Sequence, residues 1–285
     1  MVAQTEDEEA SSRGKKNKGF HMGLNVGAYL PNGQTAGTYD GYGYDFNGIK
    51  NDFLNSLMYK RIVYDYGGGY GQVDLIAQEL HVNHGEWTFN EGNMPQNLYY
   101  SPGIMVGINF TYKLNSTQAL IFNANGAQLT INGAFQIGLN TPPPYSQSPG
   151  YLNYQTFAIK AVEQRAIFQL GYQHIIPNEN KNNKINFFYE GGAVSTLTKL
   201  KSEQILINQL LIDLPNSINL PGYAVTAPQN KVGIGIGVFG GLGINISTNT
   251  KWSAQLLYTP SYENLYYGDS PQFLFQQAIS FRAMR

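Results

Sequence analysis

Residues Val232–Ser247 read VGIGIGVFGGLGINIS. Val232, Ile234, Ile236 and Val238 alternate with Gly233, Gly235 and Gly237. Successive side chains of a strand point to opposite faces, so one face here is wholly branched and apolar, and the other carries no side chains. A soluble sheet sets polar residues opposite its apolar face. Glycine weakens a strand unless another group must come close to its backbone. A narrow closed barrel, with lipid outside and a crowded interior, accounts for both faces.

Composition agrees. Only 13% of the 285 residues are charged, against roughly 25% in ordinary soluble domains. Tyr (21) outnumbers Phe (15), and there are 32 Gly; aromatic girdles around an apolar band ask for such a mixture. No apolar run reaches the length of about 18 residues that a membrane-spanning helix needs. A net charge of -1 gives nucleic acid no basic surface to bind. With no Cys, disulfides, thiolate metal sites and a lipid-anchoring Cys are excluded.

Taken in order, residues 1–18 are polar, with acidic then basic blocks, and are expected as a flexible periplasmic tail. Phe20, Met22, Leu24, Val26, Ala28 and Leu30 alternate with small or polar residues and define the first strand. The long segment 31–98 holds a Tyr cluster. It then holds Ile49, Phe53, Leu57 and Lys60 at helical spacing, with Asn51 or Asp52 as the cap. A short hairpin is expected through 73–82 and 86–89. The second strand runs through Ile104, Val106, Ile108, Phe110 and Tyr112, with a tight turn at Asn115 and Ser116. In the third, Gln118–Leu139, the apolar phase flips after Ala124. This predicts a bulge at Asn125 and Gly126, or a strand that leaves the membrane and packs differently above it.

A Pro-rich loop at 142–150 leads to the fourth strand, with Ala166, Phe168, Leu170 and Tyr172 outward. A turn at 178–183 precedes the fifth, which faces Ile185, Phe187, Tyr189 and Ala193 outward. Residues 205–214 suit a helix or a strand. The Gly-rich sixth strand, a turn at 248–250, and strands bearing Trp252, Leu256 and Tyr258, then Phe275, Ile279 and Phe281, complete eight. The prediction is an all-β, eight-stranded, antiparallel, up-and-down transmembrane β-barrel over 19–285. Its long extracellular loops are expected at about 31–98, 140–153, 200–228 and 263–271, opposite short periplasmic turns.

The segments FHMGLNVGAYLP (20–31), SPGIMVGINFTYKL (101–114), VGIGIGVFGGLGINIS and the terminal ISFRAMR (279–285) carry a resemblance. The chain resembles the eight-stranded outer-membrane β-barrels of Bacteroidetes, the PorT-like or outer membrane protein β-barrel domain family. Such barrels often end in an aromatic residue, whereas this chain ends in Arg285 with Phe281 its last aromatic. The resemblance implies a place in the outer membrane. Members of that family serve in secretion and envelope machines, so the resemblance also implies a secretion or outer-membrane assembly complex as the expected setting.

The inward phase of Glu163, Arg165, Glu190 and Arg282 predicts a paired charge network, because an unpaired buried charge is costly. An eight-stranded barrel is just wide enough for its own side chains, which argues against a porin. His81 and His84, with Glu79 and Glu86 near, form a weak zinc pattern, read as ordinary loop residues. No metal, cofactor or catalytic residue is expected. The Gly-x-Gly runs lie within a strand with no helix after them, so they are no dinucleotide fingerprint. Tyr39, Tyr42, Tyr44, Phe46, Phe53 and Leu57 are the candidate interface. The functional expectation is a non-enzymatic accessory or scaffold subunit of an envelope complex, in contact with outer-membrane lipid and other envelope proteins. The alternatives are a transport or binding barrel for a small hydrophobic ligand and, further off, a lipid-modifying enzyme.

Overall fold

The computed structural model describes residues 18–45, 48–63, 72–140, 153–178, 184–215, 232–247, 252–266 and 272–285. Residues 1–17 of the leader, Phe46, the loop at 142–150, most of the turn at 178–183 and the turn at 248–250 lie outside them.

The chain runs β1 (Gly19–Leu30), α1 (Leu57–Ile62), α2 (Gln72–Leu80), β2 (Trp87–Thr88), β3 (Gln96–Lys113), β4 (Gln118–Leu139), β5 (Asn153–Ile176), β6 (Ile185–Ile207), β7 (Leu210–Asp213), β8 (Val232–Ser247), β9 (Ser253–Tyr266) and β10 (Gln272–Met284). Antiparallel pairing links β1–β3–β4–β5–β6–β8–β9–β10 in that order. β10 then returns to β1, with Val26 opposite Phe281, so eight strands form a closed ring with no free edge. Each ring strand neighbours its sequence neighbours. The short β2 and β7 hang on the upper ends of β4 and β6. At the lower rim Asn115 Oδ1 accepts from the backbone N–H of Thr117 and Gln118, the side-chain-to-backbone geometry that makes Asn a turn former.

The alternation read from the sequence holds. Leu24, Val26, Val106, Leu170, Ile236 and Phe281 stand exposed on the outside, Ile236 at 68%. Asn25, Asn109, Asn123, Gln169 and Gln255 are buried on the inside. Inward glycines make room for large partners. A Cβ on Gly243 would lie 2.6 Å from Phe188 Cζ, and one on Gly241 would lie 2.9 Å from Glu190 Cγ.

β4, β5 and β6 have 22, 24 and 23 residues, about twice what a membrane crossing needs. Their upper halves invert the chemistry. Outward residues become mostly polar from Gln128, Gln164 and Lys199, while inward residues become apolar: Phe135, Ile137, Phe157, Ile159, Ile205 and Ile207. The pairing of β4 with β5 has no register shift, so the expected bulge at Asn125 and Gly126 is absent. The strand keeps its phase, and what changes is which face meets apolar surroundings. The irregularities fall elsewhere, between Gln96 and Tyr99 and between Ser101 and Ile104 on β3, and near Val162 and Glu163 between β5 and β6.

The inverted halves form the wall of a cap. Leu57, Met58, Ile62, Ile76, Leu80, Trp87, Phe89 and Met94 pack against them in one buried core. The helix expected from Asn51 or Asp52 begins only at Leu57, where Ser56 Oγ accepts from the Tyr59 N–H at 3.0 Å. Asp52 instead closes a turn onto Asn55, and Ile49 is exposed. The hairpin expected over 73–89 is α2 followed by the two-residue β2. Val73, Ile76, Ala77 and Leu80 recur at three and four residues and all meet the cap core, which is helical spacing. Residues 205–214 form the end of β6, a turn with Asn208 at φ 50°, and β7.

Candidate functional site: a filled interior and a groove in the outer wall

Two ionic layers cross the ring. In the upper one Arg165 Nε donates to Glu163 Oε1, its neighbour two residues away on the same face of β5. Glu163 Oε2 also accepts from the phenols of Tyr39 at 2.7 Å and Tyr100 at 2.8 Å. Arg165 reaches the Tyr29 hydroxyl and Gln276 Oε1, both at 3.3 Å. In the lower layer Arg282 makes a two-pronged pair with Glu190, Nη1 to Oε2 at 3.0 Å and Nη2 to Oε1 at 3.2 Å. Its Nε donates to Asn25 Oδ1, and the two Nη groups also reach Gln255 and Asn123. Gln173 completes Glu190 at 2.9 Å. All four charged side chains are almost wholly buried.

The sequence grouped these four as one network; the structure resolves them into two pairs, one local and one reaching across the ring. Reasoning from sequence missed Glu263, which is buried and accepts hydroxyl donors from Ser261 and Thr196. It also missed the three phenols around Glu163 and Arg165. The signal was available, since Glu263 shares its inward parity with Ser261 and Leu265. Between the layers remains a cavity of about 20 Å3, bounded by Asn25, Asn123, Gln169 and Arg282. That is room for a single water.

Among the described candidate interface residues, Tyr39 and Leu57 fold inward, while Tyr42, Tyr44 and Phe53 stay half-buried. Tyr39 is buried in the mouth of the ring through its bond to Glu163, and Leu57 is buried in the cap core. Neither has surface to offer a partner, because the 31–98 segment spends them on closing the ring. Phe53 is half-buried against Tyr59 and Phe89, with ring centroids at 4.9 and 5.8 Å. Tyr42 is half-buried beneath the Lys50 ammonium, 4.5 Å from its ring centroid. Tyr44 is half-buried and bridges to Lys50 through the backbone. His84 Nδ1 contacts Asp74 Oδ1 at 2.8 Å on the surface, and His81 ends α2 with φ 56°. No cluster of His, Asp and Glu suited to a metal stands among the described residues.

One buried acid belongs to the cap. Glu203 is fully buried beneath it, and neither carboxylate oxygen has a hydrogen-bond partner among the described residues. Burial first, then repulsion from Asp40 and Asp213, raises its pKa to about 8. The Gly41 backbone N–H opposes the shift without being placed to make a proper bond.

The outer wall carries the larger space. A groove of about 410 Å3 opens across β3 and β4 where the β3 irregularities bend that strand and Asn97 takes φ 56°. Its rim is Gln96, Asn97, Tyr99, Asn132, Gln136 and Thr156, with Phe135 and Met94 beneath. Gln136 stands directly opposite Thr156, and Tyr99 opposite Asn132.

A closed antiparallel ring, apolar outside and filled inside, defines the class: a sealed β-ring with a cap on one end. Among solved structures the chain is similar to the outer membrane protein OprG from Pseudomonas aeruginosa, at 9% identity over 94% of this chain and 97% of that one, with a TM-score of 0.40. At that degree of likeness the assignment rests on the chain's own geometry. No protein-family model and no curated protein matches the sequence.

Proposed function

We propose that the chain is an outer-membrane β-barrel that does not conduct, and that it works by binding at its extracellular wall and cap. The observation that carries this is the contrast between its faces. The outside of the ring is apolar from Phe20 and Met22 through Ile236 and Val238 to Phe281, a surface stable only against lipid. The inside is polar, mutually paired and filled, with room for one water. Both ends of the ring's chain and the short turns share one rim, the periplasmic one by the pattern of such barrels, which puts the cap outside.

Passage of a small hydrophobic ligand down the axis would require both ionic layers to open, so the binding reading is placed on the wall and cap instead. A site of amides, one tyrosine and nearby lysines is suited to non-enzymatic recognition. The scaffold reading is favoured by one observation of its own. Leu206 and Leu211 stand opposite each other on the β6–β7 hairpin and are both exposed, a small apolar surface above the lipid boundary. The test is reconstitution of the full chain into a planar bilayer and into liposomes. The expected result is no stepwise conductance and no uptake of small sugars. Sustained channels in the wild-type protein would overturn the sealed reading.

A further inference from the structure

We propose that the outer wall of β4–β6, just above the apolar band, binds the phosphorylated sugar headgroup of an outer-leaflet glycolipid; this rests on the membrane reading above. Three independent features meet there. The first is the groove, whose rim is amide-rich and uncharged, with the Tyr99 ring 58% exposed beside it. The side-chain amides of Gln96, Asn97 and Gln136 have no hydrogen-bond partner among the described residues and are available to hydroxyls. Neutral amides beside an exposed aromatic face match the chemistry of a sugar ring, hydroxyl-rich at its edge and C–H-rich on its face.

The second is charge. Asn132 of the groove stands directly opposite Lys160 on β5, and Lys199 of β6 stands opposite Gln164. Lys201 follows at the β6 irregularity. Lys160, Lys199 and Lys201 are exposed, and none has an ion-pair partner among the described residues. The outward positions of β4, β5 and β6 in this zone carry no Asp or Glu. Unpaired ammonium groups are compact cationic donors suited to phosphate oxygens.

The third is height. Leu120, Phe122 and Ala124 precede Gln128 on the outward face of β4. Asn132 and Gln136 lie four and eight residues beyond Gln128, roughly 10–20 Å above the lipid boundary for a strand tilted by about 40°. On β6 Lys199 is the first polar outward residue after the exposed Leu197, and so lies at the upper edge of that strand's apolar stretch. Acyl chains along the band, phosphates on the lysines and sugar in the groove therefore follow one line up the wall, and a free sugar phosphate would use only its upper part.

The experiment titrates the full chain in detergent micelles with four probes: a diphosphorylated, acylated disaccharide glycolipid, its dephosphorylated form, the free disaccharide phosphate, and phosphatidylglycerol. The wild type is expected to prefer the first. Lys160→Gln and Lys199→Gln should each weaken it about tenfold, the loss of one charge-assisted hydrogen bond, and leave the dephosphorylated form unchanged. Asn132→Ala with Gln136→Ala should weaken both glycolipids. Unchanged titrations in the variants, or equal binding of phosphatidylglycerol, overturn the proposal. Equal binding of the free disaccharide phosphate also overturns it, by making the ligand a soluble sugar. Spin labels at position 236 separate the two readings: water contact there means the barrel reading has failed, while lipid contact with unchanged titrations means this inference alone has failed.

Discussion

Replacing Glu190 by Leu isolates the lower ionic layer. In the wild type Arg282 has two bonds to Glu190 and further acceptors in Asn25, Asn123 and Gln255. The substitution removes the one counter-charge that Arg282 has among the described residues and leaves a buried guanidinium facing neutral amides. Breaking a buried pair in this way costs about 3–5 kcal/mol. With a urea slope of about 1–3 kcal/mol/M, the unfolding midpoint should fall by at least about 1 M. Gel mobility of unheated samples, as a measure of folded barrel, and urea titration by tryptophan fluorescence both read this. A double variant, Glu190→Leu with Arg282→Met, removes the charge along with its partner and should recover most of the loss, because a buried pair replaced by apolar groups is often neutral. If the single variant unfolds where the wild type does, Glu190 is not the buried counter-ion and the filled-interior account is wrong.

Other outcomes follow from the same geometry. Gly243→Leu must displace Phe188, whose ring a Cβ would already meet at 2.6 Å, and overpacking of this kind should cost about 1–3 kcal/mol in the same titration. Ile236→Arg, on the exposed apolar face, should cost about 2–4 kcal/mol if it lies near the midplane, read by refolding yield into vesicles. Glu203 lies above the apolar band with its pKa raised to about 8, above the ordinary carboxylate value. Its neutral form therefore favours the folded cap fully below about pH 4.5, and that contribution is lost as pH rises through 8. Hydrogen-exchange protection of α1 and α2, taken relative to the intrinsic rate of the free amides at each pH, should fall over that window, and Glu203→Gln should abolish that fall. Replacing residues 36–95 by a Gly-Ser linker removes Tyr39 from Glu163 and half of the cap core. Protease sensitivity should then appear at the upper ends of β4–β6 while the lower ring stays protected.

Where side chains alternate strictly, sequence and structure agree. Val232–Ser247 and the run from Ile104 to Tyr112 announce their faces because lipid and interior demand opposite chemistry at every second residue. The inward parity of Glu163, Arg165, Glu190 and Arg282 likewise foretold burial, though not which acid meets which base, since that depends on the stagger of the ring. The cap was less legible. On β4 the phase flip after Ala124 was legible and left two readings, a bulge or a strand that leaves the membrane and packs differently; the unbroken register and the cap core bear out the second, and the local pattern alone could not choose between them. Tyr39 looked like exposed recognition surface because its partner, Glu163, is 124 residues away. Residues 73–80 carried a helical stripe that their β-branched and mixed-polar composition obscured. The groove left no local trace, because Gln96, Asn132 and Gln136 come together only through the bending of β3.

The central claim is a closed ring set in lipid with a sealed interior, and the chain's lack of Cys allows single cysteines to be labelled one at a time. Spin labels placed along 232–238 and 104–109 in the reconstituted protein should show a two-residue period. Oxygen accessibility should be high at 106, 108, 234, 236 and 238, and contact with both oxygen and a water-soluble nickel reagent low at 105 and 109. Water-soluble reagent reaching 236 and 238, or no period of two, would contradict the account.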